Sequence, residues 1–143
     1  MAKPLKTLRF LGEKVAEFHT AFLIGNKSNP DLLSLQEATL RYTLMREENE
    51  EYLEACRKED LEGIADALGD QLYVLLGTAL RHGLMERLDT IFLEIHRSNM
   101  SKLDAQGRPI FREDGKVLKS KGWSPPNLAP LLKEAGDEEP SHG

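Results

Sequence analysis

Apolar residues along the N-terminal half of the chain recur at three- and four-residue spacing. Leu8, Leu11, Val15, Phe18 and Phe22 do so first, which predicts a helix from about Leu5 to Leu23. Gly25 and Asn26 stop it, and NKSNP reads as a loop. Ser34 followed by Glu37 has the form of a capping box, and the helical pattern then continues to about Arg57. A third helix is expected after Asp60 as N-cap. It ends at Gly83, where Arg81 and His82 suit a helix C-terminus. A fourth, from Leu84 or Met85 to Ser101, carries Leu88, Ile91, Phe92 and Ile95 as its apolar stripe. Beyond Lys102, RPIF and KVLK flank EDG, a pattern for a small hairpin or ordered loop. The final EAGDEEPSHG reads as disordered. Short connections between the first four segments predict antiparallel neighbours, hence an all-α four-helix bundle with a short C-terminal extension. One domain over residues 1–128 and a flexible tail over 129–143 are expected.

Composition adds limits. With 143 residues, 40% apolar and 30% charged, the chain can bury one core. A net charge of −5 argues against nucleic acid as a partner. A single cysteine, Cys56, excludes an internal disulfide and reads as a packing residue. The longest uncharged central run, QLYVLLGTAL, is too short to span a bilayer, so no membrane partner is expected. The N-terminal stretch lacks the apolar segment of a signal peptide, and a cytoplasmic protein is expected.

The second helix holds the anomaly. At roughly 100° per residue, Leu40, Leu44, Glu47, Glu51 and Ala55 share a stripe, with Glu48 beside it. The stripe expected to face the core thus runs into carboxylates. Like charges three or four residues apart cost a helix about 0.2–0.5 kcal/mol per pair, and more near a low-dielectric interior. On the third helix Asp66 and Asp70 are one turn apart, and Asp70 precedes LYVLLGTAL. Two neighbouring helices therefore bring acids to the interior. The cation that suits oxygen-only ligands is Mg²⁺, with Mn²⁺ possible. Glu50 and Glu54 read as solvated. The histidines form no HExxH or Glu-x-x-His arrangement, which argues against a zinc protease and a di-iron bundle.

The order of these features resembles the MazG-like all-α nucleoside triphosphate pyrophosphohydrolases, relatives of the all-α dUTPases and of phosphoribosyl-ATP pyrophosphohydrolase. Three stretches carry the resemblance. They are Glu47-Glu48-Asn49-Glu50-Glu51, then Ala67-Leu68-Gly69-Asp70-Gln71-Leu72-Tyr73-Val74, then HRSNMSK with DGKVLKSKGW. It implies Mg²⁺-dependent cleavage of a ribo- or deoxyribonucleoside triphosphate between its α and β phosphates, as nucleotide-pool house-cleaning. By position, Glu48 and Glu51 match a ligand pair, and Asp70 matches the aspartate of ExxD. Glu47 is the added acid, for a second metal or the attacking water. Glu47 and Glu48 are thus the catalytic candidates. The acid expected three residues before Asp70 is Ala67, and Asp66 is the substitute ligand, ahead of Glu62. Resemblance assigns Asn99, Lys102 and Lys119 to phosphates or sugar, and Trp123 to closing the site. Phe18 and His19 are candidates for the base pocket, while Arg97 reads as a structural ion pair. A homodimer or homotetramer is expected. Ala67 sustains an alternative, an inactive or weak helical module that keeps a carboxylate metal site for binding or assembly.

Overall fold

The computed structural model describes residues 7–133. The architecture is all-α, with four α-helices and one two-stranded hairpin among the described residues. The chain divides after Glu86 into two compact units.

The first unit holds α1 (Leu8–Ala21), α2 (Leu35–Arg57) and α3 (Leu61–Arg81). Each starts where an oxygen-bearing side chain can take an orphan N–H. Thr7 accepts from the Phe10 amide at 3.2 Å, Ser34 from Glu37 at 3.1 Å, and Asp60 from Gly63 at 3.0 Å. The Glu37 carboxylate binds the Arg81 guanidinium across the helix pair. α2 packs along α3, and α1 packs against α3. The core is small: Val15, Ala55, Ala67, Leu76, Ala79 and Leu80.

Polar groups fill the rest of that interior. Arg41 is buried, donating from Nε to Thr78 Oγ1 at 3.0 Å and from Nη2 to the Val74 carbonyl at 2.9 Å. His19 is buried on α1. Its Nδ1 faces the Gly25 carbonyl at 3.2 Å and Asn26 Oδ1 at 3.1 Å, two acceptors that place the proton on that nitrogen. Burial, with the nearby Arg41 and Arg81 charges, holds its pKa below the usual histidine range against those two hydrogen bonds. Gly77 makes room for both residues. A Cβ there would stand 2.6 Å from Arg41 Nη2 and 2.9 Å from His19 Nε2.

The α1–α2 connection is fastened to the end of α3. Lys27 N–H donates to the Leu80 carbonyl and Asp31 N–H to that of His82, both at 2.9 Å, so two carbonyls at the helix end find partners. Gly83 turns the chain at φ 68°, and a Cβ there would fall 1.9 Å from the Asn29 carbonyl oxygen.

Sequence periodicity misplaces the face of α2 by about one residue. Leu40 is 56% exposed and Glu47 and Glu51 are exposed, whereas Arg41 and Glu48 turn inward; Ala55, on the expected stripe, is buried as read. The physical reason is Arg41, a charged residue whose hydrogen bonds let it occupy a core position.

A 3₁₀ turn, Met85–Arg87, leads into the second unit, which holds α4 (Leu88–Met100), β1 (Ile110–Phe111) and β2 (Val117–Leu118). The strands pair antiparallel, Ile110 with Leu118 and Phe111 with Val117, around a turn with Gly115 at φ 88°. Serines fasten the end of α4 to the segment after the hairpin. Ser98 Oγ donates to the Ser124 carbonyl at 2.7 Å, and the Ser124 N–H donates to Ser101 Oγ at 3.0 Å. Arg97 pairs with Glu94 and reaches the Pro125 carbonyl at 3.1 Å, the structural role expected of it. Ala129–Leu132 form a 3₁₀ turn, and the remainder of the expected tail, from residue 134, lies outside the described residues. So does Leu5 at the expected start of α1. Among the described residues no helix is long and apolar enough to cross a membrane.

Candidate metal centre

α2 and α3 run antiparallel, so residues near the middle of each face one another. Glu48 and Glu51 sit one turn apart on α2, and Asp70 meets them from α3. One carboxylate oxygen of each lies within 4.8 Å of the others. Glu48 and Asp70 are half-buried, while Glu51 is exposed. The cluster is therefore rooted in the helix seam and open on its outer side.

Glu48 carries the tension in this arrangement. Its Oε2 is buried and has no hydrogen-bond partner. Desolvation pushes its pKa up to about 7, aided by a hydrogen bond with Glu51 and by the charges of Glu51, Asp70 and Asp66. Carboxylates held this close cannot all stay charged without a compensating positive charge. The group thus requires a proton or a metal cation, and an all-oxygen set suits a hard divalent ion.

Other sequence candidates fall elsewhere. Asp66 is exposed and outside the converging set, and acts on Glu48 through its charge. Ala67 is only 1% exposed, so the position where an acid was expected is in the core. Glu47 is exposed and shares an open concavity with Glu50, Glu51, Glu54 and Arg57.

Phe18 is 38% exposed and meets Tyr73 edge-on, ring centroids 5.6 Å apart, with Phe22 at 4.4 Å on its other side. Tyr73 lies one turn beyond Asp70, so an aromatic patch stands one helical turn from the acids. Tyr73 was not singled out from sequence; its three-residue spacing from Asp70 was the available signal. Gln71 was missed too: its Nε2 donates to Asn49 Oδ1 at 3.2 Å, across the same seam.

In the second unit, Lys119 Nζ stands 3.9 Å from the Trp123 ring centroid, a cation–π contact. Trp123 Nε1 is buried without a partner. Asn99 is exposed and Lys102 half-buried at the C-terminal end of α4.

No curated protein matches this chain. Among solved structures, one provisionally named an NTP pyrophosphohydrolase, from Exiguobacterium sp. 255-15, is 28% identical. The alignment covers 90% of this chain and 93% of that one, with a TM-score of 0.46. Residues 15–99, from the second half of α1 through the carboxylate cluster to nearly the end of α4, match the family described as phosphoribosyl-ATP pyrophosphohydrolase, and this chain belongs to that family.

Proposed function

We propose that this protein is a Mg²⁺-dependent nucleoside triphosphate pyrophosphohydrolase. It cleaves a ribo- or deoxyribonucleoside triphosphate between the α and β phosphates, releasing a monophosphate and pyrophosphate. The observation that carries the reading is the convergence of Glu48, Glu51 and Asp70 with the unpartnered Glu48 oxygen. Those three carboxylates would hold Mg²⁺, with Mn²⁺ as a substitute. The bound ion supplies charge neutralisation of the triphosphate and a water of lowered pKa. Glu47 lies exposed beside the cluster and is the acid available to orient the attacking water or hold a second ion. Asp66 strengthens the negative field at Glu48.

Phe18 and Tyr73 offer ring faces on which a base can stack. His19 serves the base pocket indirectly, by fixing the chain at Gly25 and Asn26 after Phe18. By resemblance, Asn99, Lys102 and Lys119 contact phosphate or sugar, and Trp123 covers them. The residue range 1–128 acts as the enzyme domain, in a cytoplasmic homodimer or homotetramer that clears dUTP, dCTP or non-standard triphosphates from the nucleotide pool.

Buried Ala67 favours a second reading. A site short of one acid can bind metal without turnover, as an assembly or binding module. One experiment separates the two. A panel of ribo- and deoxyribonucleoside triphosphates is incubated with Mg²⁺ or Mn²⁺, resolving pyrophosphate from phosphate, with Glu48→Ala as control. Pyrophosphate release lost in the variant supports the enzyme. Metal-dependent thermal stabilisation with no turnover on any substrate sinks it and leaves the binding module.

A further inference from the structure

His19 holds the chain that leaves α1 by both its carbonyl and its ring. The carbonyl accepts from the Ile24 N–H at 2.8 Å and the Gly25 N–H at 3.3 Å. The ring Nδ1 faces the Gly25 carbonyl and Asn26 Oδ1. Asn26 in turn donates from Nδ2 to the Ala16 carbonyl at 3.3 Å, so the connection folds back on α1. The far side of the ring has different company. Nε2 and Arg41 Nη2 close on the same bare face of Gly77, 2.9 and 2.6 Å from where a Cβ would stand. Phe18, the preceding residue, meets Tyr73 across the α1–α3 contact, so the aromatic patch is seated by the same stretch of chain.

We propose that His19 is a proton-operated latch: the neutral ring pins the α1–α2 connection to the end of α1, and a second ring proton, on Nε2, withdraws the pin. Three features select this role. First, the space beside Nε2 is shared with a cation. Arg41 offers only donors, and Nε and Nη2 already serve Thr78 Oγ1 and the Val74 carbonyl, so an Nε2–H would meet positive charge there and no acceptor. Second, the charges acting on the ring are one-sided. They are Arg41 from α2 and Arg81 from α3, and Glu37, beside Arg81, is bound by that residue. Within the connection Lys27 and Asp31 pair with each other at 3.1 Å. Third, the ring is buried, so water cannot solvate an imidazolium unless the ring swings out. Swinging out breaks the Nδ1 bonds to Gly25 and Asn26 together. The direction of the histidine's pKa gives the window. Burial lowers it from the ordinary 6.5, so the closed latch is fully stabilised above that value. The stabilisation is lost as pH falls from there towards the lowered value.

This inference does not depend on the proposed catalysis. Its test is amide hydrogen exchange of the full chain between about pH 7.5 and about pH 5, corrected for the intrinsic pH dependence of exchange. The wild type is set beside His19→Asn, which keeps a donor near the Nδ1 position and cannot titrate. The Ile24, Gly25 and Lys27 amides are the reporters, and Leu76 in the core is the control. The expected result is reporter protection that falls at least about fivefold in the wild type and less than about twofold in His19→Asn, with Leu76 steady in both. His82 is the rival titrating group, because its Nδ1 meets the Asp31 carbonyl at 2.8 Å. Wild-type protection that is flat with pH overturns the proposal. So does a loss that persists in His19→Asn, or one that disappears in His82→Asn instead. Should His19→Asn fail to fold, NMR titration of the wild-type histidine rings decides. A His19 midpoint that coincides with the loss of protection supports the latch. A ring that stays neutral throughout, or gains its proton while the three amides stay protected, overturns it.

Discussion

Two regions of α2 each hold a glutamate at the α3 seam, with opposite outcomes. At the start of the helix, Glu37 meets Arg81, whose guanidinium holds its carboxyl below the usual range. Near the middle, Glu48 meets only other acids and burial, and its pKa rises to about 7. The same residue type on the same helix is a structural tie in one place and an unmet demand in the other. Partner chemistry decides which, and only the second carboxylate has a reason to take a cation from solution.

Removing the demand has the largest expected effect. Glu48→Gln should lower triphosphate turnover by about 10²–10³-fold, the scale of losing one preorganised charge contact in a reaction centre. Melting temperature without metal should hold or rise, since a like-charge cluster is relieved; a clear fall would show that Glu48 also supports the fold. Removing the tie should do the reverse. Glu37→Gln leaves the Arg81 guanidinium, mostly enclosed, without its charged partner, and should cost about 1–2 kcal/mol of unfolding free energy. Mg²⁺-induced stabilisation, read by thermal shift, should be unchanged.

pH sharpens the contrast further. Glu37 has a lowered pKa, so its contribution to stability is present above the ordinary glutamate range and is lost as pH falls through its folded value. Glu48 has a raised pKa, so without metal its contribution is greatest below about 4.5 and is lost as pH rises through about 7. Metal competes with that proton. Mg²⁺ affinity, measured by calorimetry, should climb up to about tenfold per pH unit below 7 and flatten above it. A flat profile from pH 5 to 8 would remove Glu48 from the ligand set. The smallest effect belongs to Asp66. Acting through charge alone from an exposed position, Asp66→Asn should weaken Mg²⁺ binding only a fewfold. A loss as large as that of Asp70→Asn would instead make it a ligand.

Much of this was legible in residue order. Ser34 and Asp60 announce their helices because cap chemistry is local, and the caps form as read. Helix spacing and a short α2–α3 turn brought acids of both helices to one seam but set Glu47 beside Glu51 there; the resemblance is what named Glu48, Glu51 and Asp70, the three that converge. What stayed hidden depends on partners distant in sequence. Arg41 reads as a surface residue until Thr78 and the Val74 carbonyl are seen to satisfy it, and its burial displaces the inward face from Leu40. Glu47 shared the expected core stripe and is exposed. His19 was assigned to a ligand pocket, whereas its ring is buried and bound to its own chain, which no spacing rule reveals.

The clasp of the α1–α2 connection on the end of α3 bears on how the protein can be cut and spliced. NKSNP has the composition of a tolerant surface loop, with a lysine at position 27 inviting trypsin. The Lys27 amide and that of the following Asp31 are instead held by the Leu80 and His82 carbonyls at the end of α3, Asn29 packs within reach of Gly83, and the Lys27 side chain is bound to Asp31. A protease must open this segment before it can thread a cleavage site, so nicking there should lag behind cleavage of the hairpin turn near Lys116. Inserted tags, permuted termini and length changes belong at that turn, because in the α1–α2 connection each added residue would break the fastening of one helix end.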